Sequence, residues 1–387
     1  MTGGSAHGQP AILCTAQVRC TDVSAVAQLS EDLGPGPFSL ISLLVSPLAD
    51  FGDVVAQAER IYPDTDVLAC TTAGEIGESG YDDGLIVAIA FPAAGFVTTS
   101  LLIEDIRNLA VQQVVDRIAL RRVALQERIL DMADEFAFLV VDGLSLSEDT
   151  LAATIAPALR GMPIFGGSAG DGTDFRQTLV ALNGRVAENA AVLTLARSKY
   201  RTKVFSLNHL VPTDLKMVVT GADPAKRIVK TINAEPAARE YARIVNKDPE
   251  QLDRFTFASH PVVVRIGGTH HVRAIQQVNK AGELVFFSAI DEGMVLTVAT
   301  PQNMAEHLRE KMTELSEEGH PANIIGCDCI LRRIEAEQTQ MSRELSDILS
   351  TYNVTGFSTY GEQIGPLHVN HTMSGVAFYH SASDEKR

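Results

Sequence analysis

Three stretches of the chain repeat one pattern of hydrophobic and polar positions. In the first, the apolar run FSLISLLVSP (38–47) reads as a strand and FGDVVAQAERI (51–61) as a helix with Val54, Val55, Ala58 and Ile61 at helical spacing; DVLACTTAGEIG (66–77) is a second strand ending in a turn. The second starts at FAFLVVDGLS (136–145) and passes through a helix that Ser147 can cap. Glu148 and Asp149 stand in its first turn, Leu151, Ile155 and Leu159 run along one face, and the stretch ends at MPIFGGSAGDG. The third runs from ANIIGCDC (322–329) through a helix carrying Ile334, Met341, Leu345 and Ile348 to VTGFSTYGEQIG (354–365).

Each stretch closes on a hydroxyl residue, one further residue, glycine and an acid: Thr72-Ala73-Gly74-Glu75, Ser168-Ala169-Gly170-Asp171 and Thr359-Tyr360-Gly361-Glu362. The glycine supplies a positive φ or lets another backbone approach, and the acid and hydroxyl can bond the exposed amides of the turn. β-rich runs come next, at 84–91, 177–196 and 367–379. Because the whole order of elements repeats, duplication is favoured over three independent turns. The expected fold is α+β with α/β elements, in two parts, with layered sheets and outer helices built from strand-helix-strand-turn repeats.

Between the second and third stretches the texture changes. KVFSLNHLVPTDLKMVVTGADP is strand-rich, and NAEPAAREYARIV (233–245) reads as a short helix with Asn233 as cap and Pro236 in its first turn. Residues 261–299 read as an antiparallel meander with turns at Gly267-Gly268, at 279–282 and at 291–293; Thr300-Pro301 then opens a helix with Met304, Leu308, Met312 and Leu315 inward.

Composition narrows the classes. The net charge of -16, with no basic block, argues against nucleic acid as partner. No apolar run reaches the ~18 residues of a membrane helix. The start MTGGSAHGQP lacks a basic and apolar leader, so residues 1–10 are expected to be a frayed tail and the protein cytoplasmic. Five cysteines (Cys14, Cys20, Cys70, Cys327, Cys329) do not make a disulfide framework. Cys327 and Cys329 should share one face of a strand, as buried thiols or, with two further ligands, a metal pair.

CTTAGEIG, FGGSAGDG followed by NGRVAENAAVLTL, INAEPAAREYARIV and GFSTYGEQIGPLHVNHT together resemble the FIST sensory module over about residues 20–380. The resemblance implies a tail and first strand over 1–20, a FIST N-terminal domain over 21–200, a FIST C-terminal domain over 201–380 and a tail over 381–387, the cut falling near Ser198 to Lys203. It is greatest to the bacterial haem-binding nitric-oxide-sensing (NosP-like) proteins. That implies a non-enzymatic sensor carrying haem b and binding nitric oxide. Its signal would pass in trans to a histidine kinase, or to a diguanylate cyclase or phosphodiesterase acting on cyclic di-GMP, and so to biofilm behaviour. A homodimer stays open.

A haem would need an axial ligand, most simply a neutral histidine. His7, His270, His271, His307, His320 and His380 read as surface or structural. Alternation places His209 with Phe205, Leu207 and Val211 on one apolar face, next to a strand end at Pro212. Along LHVNHTM it puts His371 with Leu367, Val369 and Met373, and His368 with Asn370 and Thr372. His209, His371 and His368 are thus alternative iron ligands, with Cys70 a thiolate alternative. A second reading keeps the sensory module but gives it a small polar ligand such as an amino acid, held by Glu75, Asp171, Glu362 and Tyr360 with Arg265 and Arg273. A third assembles a hydrolase-like site from Cys70 or Thr72, His368 or His371, and Glu362, although HExxH and P-loop spacings are missing. The turn acids are expected to be structural, standing at the same point of each turn.

Overall fold

The computed structural model describes residues 10–128, 132 and 134–380. His7 and the two terminal tails, apart from Pro10, lie outside the described residues. The fold is mixed α+β, with open sheets and outer helices.

Each predicted repeat is a parallel strand-helix-strand unit. Phe38–Val45 pairs with Asp66–Thr71 across helix Phe51–Ile61. Asp134–Val141 pairs with Ile164–Ser168 across Glu148–Ala158. Asn323–Cys329 pairs with Val354–Thr359, and here the single expected helix is two, Ile330–Gln338 and Ser342–Thr351. A returning strand then lies antiparallel on the first strand of its own unit: Leu85–Pro92, Ala190–Ser198 and Met373–Tyr379. An edge strand from the start of each unit finishes the set: Cys14–Arg19, Phe96–Glu104 and Arg201–Leu207.

The hairpin beyond each turn leaves its own sheet. The hairpin Glu75–Gly77 and Gly80–Asp82 of the first unit pairs onto Val354–Thr359 of the third. The hairpin Glu362–Ile364 and Leu367–Val369 of the third unit pairs onto Ile164–Ser168 of the second. Val180–Leu182 and Arg185–Ala187 of the second pair onto Asp66–Thr71 of the first. The exchange is cyclic, and its centre is held by three corresponding backbone bonds: Ser358 N–H to Gly74 C=O (2.7 Å), Ser168 N–H to Gly361 C=O (2.8 Å) and Thr71 N–H to Leu179 C=O (3.0 Å).

This register corrects one sequence expectation. Glu75 and Glu362 begin exchanged hairpins, but Asp171 stands in a longer loop, well before its hairpin opens at Val180. The three acids therefore do not occupy the same point. The glycines differ as well. Gly74 and Gly361 have φ of 133° and 146°, while Gly170 is small because a β-carbon there would lie 2.7 Å from that of Ala73.

The inner faces of the three sheets share one core. Phe378 of the third meets Phe91 of the first and Phe96 and Phe136 of the second at centroid distances of 6.3, 5.7 and 5.7 Å. Each outer face packs under its own helices. Strand alternation produces both faces: in Phe38–Val45, Leu40 and Leu44 point to the shared core and Ile41, Leu43 and Val45 to the helices.

The third unit carries an insertion between Leu207 and Met304. Its sheet runs in the order Thr269–Arg273, Val262–Ile266, Val295–Pro301, Leu210–Asp223, Ile228–Ile232, Leu284–Phe286, Ile275–Val278. Three boundaries move. The helix expected over 233–245 is Ala237–Ile244, because Asn233 takes a left-handed turn and Glu235–Pro236 pairs as a strand. Pro212 sits at an irregularity inside Leu210–Asp223 rather than at a strand end. The helix after the meander starts at Met304, capped by the Asn303 side chain, since Pro301 still belongs to a strand.

Candidate functional site

Two of the three candidate histidines converge. His209 lies in the connection between Arg201–Leu207 and Leu210–Asp223, and His371 in the turn between Leu367–Val369 and Met373–Tyr379, with φ of 52°. Their rings stand 5.5 Å apart, edge to face, and both turn toward Glu335, which helix Ile330–Gln338 presents to them. His209 Nε2 is 3.0 Å from both Glu335 oxygens, and His371 Nε2 is 2.6 Å from Oε2. On its other side His209 Nδ1 accepts from Arg332 Nη1 at 3.0 Å, and Arg332 Nε donates to Asp328 at 2.6 Å. Tyr81 donates its hydroxyl proton to the second Asp328 oxygen.

Arg332 has only donors, so His209 Nδ1 is unprotonated and the ring carries its proton on Nε2, toward Glu335. Burial pushes the His209 pKa down to about 4 against the pull of Glu335, with the Arg332 guanidinium adding to the depression. For Glu335, burial alone would raise the pKa; the two imidazole bonds outweigh it and hold the carboxyl at about 2. The cluster is a buried carboxylate between two imidazoles.

The expected apolar face did not form. The edge strand stops at Leu207, so alternation does not carry to His209; Leu207 is buried, Phe205 half-buried beside it, and Val211 is 43% exposed. The same break occurs after Val369, where the left-handed turn at His371 resets the direction of the side chains.

His368 belongs to a different place. It is fully buried, and its Nδ1 accepts from the Gln363 amide (3.2 Å), which also donates to Ser168 Oγ (3.0 Å). Its proton therefore sits on Nε2, which has no partner. Burial holds its pKa below the usual imidazole range. Above it the inserted sheet meets the body in a polar layer. Arg273 Nη1 donates to the His368 carbonyl (2.8 Å), Ser288 Oγ to Asn370 (3.0 Å) and the Ala289 amide to Asp149 (3.1 Å). Arg227 pairs with Glu148, both buried, and stands 3.7 Å from Asp149. Arg227 Nε and Arg273 Nε, like His368 Nε2, are buried donors without a partner. Phe175 stacks on Tyr360 at 4.4 Å and meets Phe287 of the insertion at 6.0 Å.

The turn acids are structural. Thr72 Oγ1 donates to Glu75, whose other oxygen accepts the Leu85 amide, and Thr359 Oγ1 donates to Glu362 at 2.5 Å. Burial raises Glu75 to about 7 and Glu362 well above the carboxylate range. Asp171 accepts the amides of Phe175, Arg176 and Gln177 and the Tyr360 hydroxyl. Arg265 lies apart from Arg273, exposed, with Lys216 and His270 along a groove of about 580 Å³ on the inserted sheet.

These positions test the chemistry read from sequence. A haem iron needs an axial ring nitrogen with an apolar space for the macrocycle beside it. Beside His209 and His371 stand the charged side chains of Glu335, Arg332 and Asp328, where the macrocycle would need apolar surroundings. At His368 the free Nε2 faces backbone, where a β-carbon added to Gly361 would stand 2.8 Å away. The three histidines do not fit an axial haem ligand. The hydrolase-like grouping does not assemble either: burial pushes the Cys70 thiol up, Thr72 is committed to Glu75, and His371 to Glu335. Cys327 and Cys329 are buried free thiols on one strand. Sequence reasoning missed Glu335, Arg332, Arg227 and Ser288; the only readable trace is the acid-base spacing of Asp328, at the end of a strand, and Arg332, four residues on in the following helix.

Residues 39–235 match the FIST N domain and residues 237–365 the FIST C domain. The chain is also similar to the uncharacterized protein MJ1623 of Methanocaldococcus jannaschii, 22% identical over 369 residues, which cover 83% of this chain and 69% of that protein. Among the described residues no helix is long and apolar enough to cross a membrane. With the FIST N match alone spanning about half of its length and the FIST C match continuing from it, this chain belongs to the FIST family of sensory signalling domains.

Proposed function

We propose that this protein is a sensory binding protein, not a catalyst, whose ligand is a small zwitterion of the amino-acid class held where the inserted sheet meets the body. The observation that carries this reading is the pair of buried, partnerless donors at Arg227 Nε and Arg273 Nε, where Arg227 also meets the carboxylates of Glu148 and Asp149. Guanidinium donors suit a carboxylate, and the acidic pair suits an ammonium group. Seams between structural parts are also where ligand sites concentrate. A ligand bridging Arg273 of the insertion and Asp149 of the second unit would fix one part against the other. A partner such as a histidine kinase or a cyclic di-GMP enzyme could read that difference.

A panel of amino acids in a thermal-shift assay tests the proposal. At a ligand concentration of ~100 Kd, binding stabilises the folded state by about 2.7 kcal/mol, enough for a clear rise in Tm. The expected result is a rise with one amino acid or a few related ones, lost in Arg273→Gln. A panel without effect, or an equal rise in Arg273→Gln, overturns the reading. The nitric-oxide alternative is tested on protein produced with a haem precursor: a Soret band that shifts with nitric oxide would restore it.

A further inference from the structure

We propose that His209, Glu335 and His371 form a binding site for one divalent transition-metal ion, separate from the junction around His368 and independent of the ligand proposed there. The three side chains come from a connection, a helix and a left-handed turn, and their donor atoms all lie within 4.8 Å of one another. Two imidazoles and one carboxylate leave further coordination positions open, a donor set suited to ferrous, zinc or cobaltous ions and poorly suited to calcium or magnesium.

The local charge points the same way. Glu335 and Asp328 bring two carboxylates into the buried cluster against one guanidinium, that of Arg332. The next arginine, Arg333, is turned away onto Asp83. A divalent cation between the imidazoles would meet the excess negative charge that the side chains leave. His371 is also kept at φ 52°, a conformation few residues other than glycine adopt, and that turn is what aims its ring at Glu335.

Arg332 sets the terms of binding. A metal on His209 Nε2 moves the ring proton to Nδ1, where Arg332 Nη1 now donates, so that contact must open while Arg332 Nε stays on Asp328. Taking the Nη1 donor away while keeping the positive charge opposite Asp328 should therefore tighten the site.

The test uses the full chain, stripped with a chelator and titrated with Co²⁺ as a spectroscopic probe, then with Zn²⁺ in competition. The expected result is one Co²⁺ per chain with visible d–d bands that Zn²⁺ removes, and affinity at least ~100-fold weaker in His371→Ala and Glu335→Gln. His380→Gln, outside both sites, should bind as wild type, and Arg332→Lys about tenfold tighter. The Arg332→Lys gain cannot come from a variant that fails to fold. Wild-type protein that takes up no stoichiometric Co²⁺, or uptake unchanged in both ligand variants, overturns the proposal.

Discussion

At the scale of single residues the carboxyl groups have different tasks set by their surroundings. Glu335 is ionised because two imidazoles face it, whereas Glu75 is driven toward its neutral form by burial, with the Thr72 hydroxyl and Leu85 amide only partly offsetting that. The consequence for stability has a definite sign. The folded Glu75 pKa, about 7, lies above the ordinary value of 4.5, so between these the folded state binds more protons and stability falls as pH rises. The loss is on the order of 3 kcal/mol at one pKa unit per ~1.4 kcal/mol. Glu75→Gln keeps the size of the side chain and cannot ionise, so its urea midpoint should decline less than that of wild type between pH 4.5 and 7. Parallel declines in the two proteins would show that Glu75 does not titrate as its burial requires. At this scale the sequence was least informative. Glycine, threonine and glutamate in the turns were readable as a local device, but the meeting of His209, His371 and Glu335 depends on two places where alternation stops, after Leu207 and after Val369. A face assigned by counting residues in twos has no meaning across such a break.

Whole elements were more legible. Each strand-helix-strand unit follows from apolar runs of strand length alternating with a helical stripe, and Phe51–Ile61 matches its predicted bounds. Two features had no local signal. One is the division of the third unit's helix at residues 339–341, inside a continuous apolar stripe. The other is the exchange of hairpins, because the partner of a short strand is chosen by tertiary packing and not by its own residues. That exchange makes a distant effect testable. Ile76 belongs to the first unit by sequence but is fully buried in the outer core of the third, with Met304, Leu308 and Leu345. Ile76→Ala should cost about 2–5 kcal/mol in urea unfolding. It should also speed amide exchange in helix Met304–Ser316 more than in Phe51–Ile61. Faster exchange confined to the first unit's helix would contradict the exchanged packing.

On the scale of the whole molecule, three units close around one aromatic core, and the third is opened by an insertion that folds back over the second and third. The layered sheets and outer helices follow from the sequence pattern. The meeting of the insertion and the body does not, because it is made by isolated polar side chains: Arg273 and Ser288, within the stretch that reads as an ordinary meander, and Arg227, at the end of a turn before Ile228–Ile232. That seam is the centre of the functional account. Hydrogen–deuterium exchange with and without the amino acid selected from the panel tests it most directly. Bound ligand should slow exchange at 148–149, 227–228, 272–273, 288–289 and 368–371, on both sides of the seam at once. Protection confined to the groove lined by Lys216, Arg265 and His270, or to one side of the seam alone, would contradict the account.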